Sequence, residues 1–250
     1  MKGHGNAPSP YEKEDKMLKK IHSKGLYIAD HDWLVSRFHF SFAEYYNPEN
    51  MSFGVLRVLN DDIVQPATGF GTHPHNNMEI VSYCLSGELT HRDSMGSKET
   101  LTRGDIQYMS AGTGLTHSEM NESKDTVLRF LQIWILPASR SLKTQYGSKR
   151  YEKVDRHNKL LHVVTGGDVS GVTKIHQDVN IYVSEIDAGN KLDFPVKKDR
   201  QAYLVCIEGS LAMDGEVLNE RDAVEITGEE NLSIETRSSA HLLAIEMAKG

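Results

Sequence analysis

The feature that most constrains the fold is a pattern the chain uses twice. YCLSGELTHRD at 83–93 matches VCIEGSLAMDG at 205–215, and LTRGDIQYMSAGTGLT at 101–116 matches LNERDAVEITGEENLS at 218–233. Each copy then ends in an apolar run, VLRFLQIWIL in the first half and AHLLAIEMA in the second. The order in both is strand, glycine turn, strand, aspartate turn, strand. Such a repeat means one supersecondary design used twice. The 250 residues suffice for two domains of ordinary size.

The rest of the chain agrees with an all-β reading. Short apolar runs recur between Gly, Asn and Asp turns: Phe53–Leu59, Glu79–Leu85, Ile106–Met109, Val127–Leu136, Ile181–Ile186, Ala202–Ile207 and His241–Met247. Strands of this length and spacing indicate sandwiches or barrels. The expected organisation is an N-terminal extension over 1–25, a first barrel over 26–140, a connection over 141–160 and a second barrel over 161–250. Residues 1–10 are expected to lack fixed structure. YEKEDKMLKKIH at 11–22 reads as a short polar helix with a narrow stripe of Met17, Leu18 and Ile21, or as a loosely attached tail, which is preferred. The polar stretch 138–158 reads as the connection between the halves, with room for a helical turn.

Several function classes are excluded at this level. The formal net charge is −7 and no block of Lys and Arg offers a phosphate-binding face, so no direct nucleic-acid contact is expected. The N-terminus has no apolar h-region and no run of 18 apolar residues occurs, so a cytoplasmic protein without membrane contact is expected. Asn121-Glu122-Ser123 matches a glycosylation sequon, which lapses without secretion. Cys84 and Cys206 each precede a repeat glycine by three residues, Gly87 and Gly209. Matching strands of separate repeats make them buried small hydrophobes rather than a redox pair.

The chemistry concentrates in the first repeat. His73 and His75 are one residue apart, as are His117 and Glu119. Alternate side chains of a strand share a face, so each pair points one way. Pro74 gives no N–H to a ladder and places the first pair at an edge or bulge. For a lone histidine an ordinary hydrogen-bonded role is the default. Two such pairs on successive strand patterns, each preceded by glycines, instead suggest a mononuclear metal site. Three imidazoles and a carboxylate suit Fe, Ni, Cu, Mn or Zn, with Fe(II) favoured for oxygen chemistry. If the extended conformation resumes after His75, then Glu79, Val81, Tyr83 and Leu85 share the histidines' face. Glu79 is then a ligand, a carboxylate that orients a ligand imidazole from behind, or a plain core carboxylate, with the second reading favoured, and His91 lines the pocket or is structural. Offsets from the repeat glycine and aspartate put Pro195, Lys197, Ile234 and Thr236 at the ligand positions of the second half. The second barrel is therefore expected to be metal-free.

Residues 69–121 resemble the cupin superfamily, with Gly69, HxH at 73–75, Glu79, Gly87, Gly112, His117 and Asn121 in its order. The spacings depart from the cupin motifs: Gly69 falls four rather than six residues before His73, seven residues separate Glu79 from Gly87, and Ser110 replaces a proline. HPH at 73–75, MEIVSYCLSGELTHRDS, GDIQYMSAGTGLTHSE and FLQIWILP, with HDWLVSRFHFSFAEYYNP and FGVLRVLNDD before them, resemble the pirin family. The likeness runs from about Leu26 to the end and is nearest to bacterial pirin-like quercetinases. It implies a bicupin, two double-stranded β-helix (jelly-roll) barrels, with one divalent transition metal in the first. Fe(II) is favoured, with Zn, Ni, Cu, Mn or Co as alternatives, and the ligands are His73, His75, His117 and Glu119.

The resemblance implies a flavonol 2,3-dioxygenase acting on quercetin or a similar small aromatic substrate with O₂. Glu119 would take the proton of the substrate hydroxyl as general base. Phe53, Phe70, Met78 and Met120 are candidate pocket walls by position. The alternative is a metal-dependent regulatory or redox-sensing protein that binds a transcription factor or metabolic enzyme. The family resemblance also implies a monomer.

Overall fold

In the computed structural model, residues 17–228 and 230–249 are described. The strands of the first half are β1 (Met17–Ile21), β2 (Tyr27–Asp30), β3 (Leu34–Phe38), β4 (Leu56–Val64), β5 (Gly69–His75), β6 (Glu79–Ser86), β7 (Leu89–Asp93), β8 (Lys98–Leu101), β9 (Ile106–Ser110), β10 (Leu115–Met120) and β11 (Leu128–Ile135). Then come β12 (Gln145–Lys149) and the single-turn helix α1 (Lys153–Arg156). The second half holds β13 (Leu161–Thr165), β14 (Thr173–Lys174), β15 (Val179–Ile186), β16 (Lys191–Val196), β17 (Arg200–Glu208), β18 (Ser210–Met213), β19 (Glu216–Asn219), β20 (Ala223–Thr227), β21 (Glu230–Thr236) and β22 (Ala240–Ala248).

Each half is a jelly-roll barrel made from one seven-stranded and one four-stranded sheet. The first barrel orders its sheets β12-β9-β6-β11-β4-β3-β2 and β5-β10-β7-β8. The second orders them β1-β20-β17-β22-β15-β13-β14 and β16-β21-β18-β19. The repeat is therefore structural: β6 corresponds to β17, β9 to β20 and β11 to β22. Gly87 and Gly209 both sit at φ +76° after these paired strands. A Cβ on Gly87 would meet Val127 O at 2.6 Å, and one on Gly209 would meet Ser239 O at 1.9 Å. Only glycine fits a turn with both the positive φ and the close backbone.

The two large sheets pack face to face. Their shared core takes Leu59, Val81, Tyr83, Leu131 and Ile133 from the first barrel and Ile181, Tyr203, Val205, Leu243 and Ile245 from the second. Each large sheet is thus buried on both faces, inside its own barrel and against its neighbour. That is why these strands read as continuous apolar runs rather than alternating ones. The two cysteines fill the separate barrel interiors, and burial pushes both thiols up to about 12. Polar links cross between the halves. Asp61 accepts from Arg129 Nε and Nη2, each at 2.8 Å, and from Nε of Arg221, across the barrel interface, at 2.8 Å.

Two expectations change. Residues 17–21 are not helical: they form β1, paired antiparallel with β20, and so complete the second barrel's sheet from the chain's beginning. Residues 11–16 and the expectation for 1–10 lie outside the described residues. Within the connection, α1 supplies a helical turn, but Gln145–Lys149 is a strand on the edge of the first barrel. The two additions are reciprocal. Beside β9 the edge place is filled by β12, and beside β20 by β1. Hydrogen bonding to an open sheet edge outweighed the weak helical stripe. Asn121 is buried, and its side-chain amide donates to the carbonyls of Val64, Gln65 and Thr126, so the sequon asparagine is a loop anchor.

Asp61→Ala leaves Arg129 and Arg221 without their buried carboxylate at the barrel interface. The expected loss is about 3 kcal/mol, as for other buried ion pairs broken from one side. Equilibrium denaturation of the variant measures it, and a loss under about 0.5 kcal/mol would show that the pair does not hold the halves together.

Candidate metal centre

The small sheet of the first barrel carries the candidate ligands. His117 of β10 pairs with His73 of β5, and Leu115 with His75. A register shift between His117 and Glu119 bends β10 at this point. Gly69 opposes the shifted segment, where a Cβ would meet Glu119 O at 2.5 Å. Ring nitrogens of His73, His75 and His117 lie within 4.8 Å of one another. Their ring centroids are 4.5–4.9 Å apart. Glu119 groups within the same limit with His117 and His91 instead.

The hydrogen bonds select the tautomers that leave lone pairs facing inward. His73 Nδ1 donates to Gly71 O at 2.8 Å, which leaves its Nε2 bare. Asp93 Oδ1 accepts the backbone N–H groups of Met95 and Ser97, and its Oδ2 accepts from His91 Nε2 at 3.2 Å. His91 Nδ1 is then an acceptor, and His117 Nδ1 lies 3.4 Å from it. His117 Nε2 is left as a buried nitrogen with no hydrogen-bond partner. Burial, with the neighbouring imidazoles adding to it, lowers His117 to about 3 and His75 to about 4. Neutral imidazoles with one unsatisfied nitrogen are what a borderline divalent ion requires. An orphaned buried nitrogen would otherwise cost about 1–3 kcal/mol.

Glu119 is held by a row of polar side chains. Its Oε1 accepts from Ser82 Oγ at 2.9 Å and Gln107 Nε2 at 2.7 Å, and its Oε2 from Gln132 Nε2 at 2.6 Å. Tyr146 donates to Gln107 Oε1 at 3.3 Å. Gln107, Ser82, Gln132 and Asn60 are direct cross-strand neighbours on β9, β6, β11 and β4. All face the barrel interior.

The sequence reading of Glu79 is corrected here. Its Oε1 accepts from Tyr108 Oη at 2.8 Å and from the backbone and ring of His176, and its Oε2 from Gln177 N at 2.9 Å. His176 and Gln177 belong to the second half, so Glu79 ties the barrels together and makes no hydrogen bond to a candidate ligand. Alternation does not pass from β5 to β6, because the link includes Asn77 at φ +47°. Ser82 and Cys84 therefore face the barrel interior, while Glu79, Val81, Tyr83 and Leu85 face the second barrel. The carboxylate behind a candidate ligand is Asp93, acting through His91.

A cavity of about 350 Å³ opens beside the histidines. Trp33, Phe38, Phe42, Phe70 and Trp134 are among its walls, and His73, His75, Glu119, Gln132, Asn60 and Asp62 also line it. Of the four wall candidates only Phe70 is there. Phe53 packs on the core between the barrels, and Met78 joins a cluster with Ile80 and Met109. Met120 lies against Gly69. Asp62 accepts from Ser36, and burial, reinforced by the charges of Asp61 and Glu119, raises its carboxyl to about 7.

The second barrel lacks this donor set. In β21 Ile234 pairs with Leu192 of β16, and Leu232 with Phe194. Register thus gives Leu192 and Phe194 the positions equivalent to His73 and His75, in place of the Pro195 and Lys197 reached by counting. With Ile234, Thr236, Leu211 and Met213 they leave a largely apolar interior.

Asp93→Asn weakens the polarisation of His91 and, through it, His117. The expected effect is a 10–100-fold lower metal affinity, measured by competition with a chelator. Glu79→Gln is expected to shift that affinity less than about 3-fold while lowering thermal stability. Asp62 titrates near 7 when folded and near 3.9 when unfolded, so the folded state gains relative stability as pH falls from 7 to 4. The lowered His75 and His117 oppose that gain in the metal-free protein, so thermal scans should show the wild type losing less stability than Asp62→Asn between pH 7 and pH 4.

Comparison with known proteins places the family and the fold. The Pirin family matches residues 20–135, and the family described as Quercetinase C-terminal cupin domain matches residues 162–247. A putative quercetin 2,3-dioxygenase of Zymomonas mobilis is 39% identical over 92% of this chain and 97% of its own. A quercetin 2,3-dioxygenase of Escherichia coli K12 is 36% identical over 92% and 97%. The crystal structure of the bacterial pirin YhhW from Escherichia coli, in complex with nickel(II), superposes with a TM-score of 0.88 at 33% identity, covering 94% of this chain and 100% of that one. Among the described residues no helix is long and apolar enough to cross a membrane. The chain belongs to the pirin family and has its bicupin fold.

Proposed function

We propose that this protein is a metal-dependent dioxygenase that cleaves a flavonol such as quercetin, with His73, His75, His117 and Glu119 as the ligand set. The observation that carries the reading is the unpartnered His117 Nε2, which groups with the ring nitrogens of His73 and His75 beside an aromatic-walled cavity. The names of the Zymomonas and Escherichia coli relatives support the same substrate class. Fe(II) is the favoured metal, and the nickel-bound relative keeps Ni(II) among the alternatives.

The residues divide the work by chemistry. Aromatic walls hold a flat ring system and exclude water from it. When bound, the metal supplies Lewis acidity that makes a coordinated hydroxyl easier to deprotonate. The Glu119 carboxylate accepts the proton of the substrate's 3-hydroxyl. Ser82, Gln107 and Gln132 fix that carboxylate in place, because each donates to it. The deprotonated flavonol is electron-rich and reacts with O₂, the heterocycle opens, and carbon monoxide leaves. The proton remains on Glu119 until the product departs. A regulator that only sensed metal would not need such a cavity, so the enzymatic reading is favoured.

Protein purified anaerobically and loaded with Fe(II) is expected to bleach the quercetin band when O₂ is admitted. Glu119→Gln should slow turnover about 100-fold or more, and His75→Ala should abolish it. Fully metal-loaded wild type that consumes no flavonol would overturn the proposal.

A further inference from the structure

The polar row that holds Glu119 does not stop at Gln132. Its next member, Asn60, is 3% exposed, lines the cavity, and has a buried Oδ1 with no hydrogen-bond partner. The neighbouring wall offers a second unpartnered group, the buried indole N–H of Trp134. Trp134 meets His75 edge to face at 4.8 Å. Asn60 and Trp134 are thus an unfilled acceptor and an unfilled donor in one cavity with aromatic walls. Buried polar groups without partners are rare in folded proteins and need a reason. A leucine at position 60 would fit a strand interior without that cost, so the amide calls for an explanation outside packing.

We propose that Asn60 is a substrate-specificity residue: its Oδ1 accepts a hydrogen bond from a phenolic hydroxyl on the part of the substrate remote from the metal. This inference rests on the flavonol reading of the cavity and narrows it to polyhydroxylated flavonols. The spacing supports it. Asn60 lies one strand beyond Gln132, about 4.8 Å further across the sheet, which is roughly the width of one aromatic ring. A flavonol whose 3-hydroxyl meets Glu119 and whose long axis follows the row would reach Asn60. The carboxyl of Asp62, two residues along the same strand, lines the same cavity and offers a second polar group there. A site built to pair a substrate hydroxyl discriminates strongly against the analogue that lacks it, because its own polar group is then left unpaired.

The test compares quercetin with 3-hydroxyflavone, which carries only the hydroxyl next to the carbonyl. Dissociation constants are measured by titration calorimetry under argon on the nickel-loaded protein, so no turnover is involved. Wild type is expected to bind quercetin at least about 10-fold more tightly than 3-hydroxyflavone. In Asn60→Leu that ratio should fall to about 3-fold or less. Its thermal midpoint should not drop, because an unsatisfied buried oxygen has been removed. Asn60→Val serves as the second variant, since a β-branched side chain suits the strand. Equal affinities in wild type, or a ratio unchanged in both variants, would overturn the proposal. A protein that keeps the discrimination but consumes neither flavonol with O₂ would sink the dioxygenase reading and leave this subsite standing.

Discussion

Burial of both faces of the first barrel's large sheet is the constraint on which the site depends. One face is pressed against the second barrel by a continuous apolar core and by Asp61 between Arg129 and Arg221. The other face then supplies the polar side chains that hold Glu119, from strands that cannot shift. Gln107, Ser82, Gln132 and Asn60 form one cross-strand row because register in a sheet buried on both sides is strongly specified. A slip of one residue in β11 would exchange Gln132 for Leu131 and put a leucine against Glu119. The second barrel, whose own interior is packed with apolar side chains, thus acts as the rigid backing of the first.

The small sheet contributes the opposite property. Its β5 and β10 are short and joined at a bulge, so His73, His75 and His117 converge instead of running in parallel rows. Convergence alone would leave nitrogens of undefined protonation. The chain Asp93–His91–His117 resolves that by fixing where the protons sit, and burial keeps His75 and His117 neutral. A rigid sheet that holds the carboxylate and a bent sheet that holds the imidazoles meet at one cavity.

Much of this was legible in the sequence, for reasons that can be stated. The repeat was visible because turns demand particular residues, and Gly87 and Gly209 stand at the same φ in both halves. The ligand candidates were visible because HPH and HSE are strand-spaced pairs with no apolar excuse. Glu79 was misread because alternation is reliable only within one strand, and Asn77 breaks it between β5 and β6. Asp93 was hidden because its role runs through His91, a link that only tertiary contact makes. Ser82, Gln107, Gln132, Asn60 and Asp62 were passed over although each is a polar residue within an apolar strand, as in IVSYCL, FLQIWIL and VLNDDIV. In strands buried on both faces that is itself a signal. β1 was missed because an edge strand in a distant barrel leaves no local trace in MLKKI.

The central claim is that the three inward nitrogens bind one metal ion. Anomalous X-ray diffraction from crystals of the Fe(II)- or Ni(II)-loaded protein, collected across the metal's absorption edge, tests it directly. The account predicts one peak per chain, within bonding distance of His73, His75 and His117, and none in the second barrel. A dominant peak elsewhere, or one between His91, His117 and Glu119 that leaves His73 and His75 unbound, would contradict it.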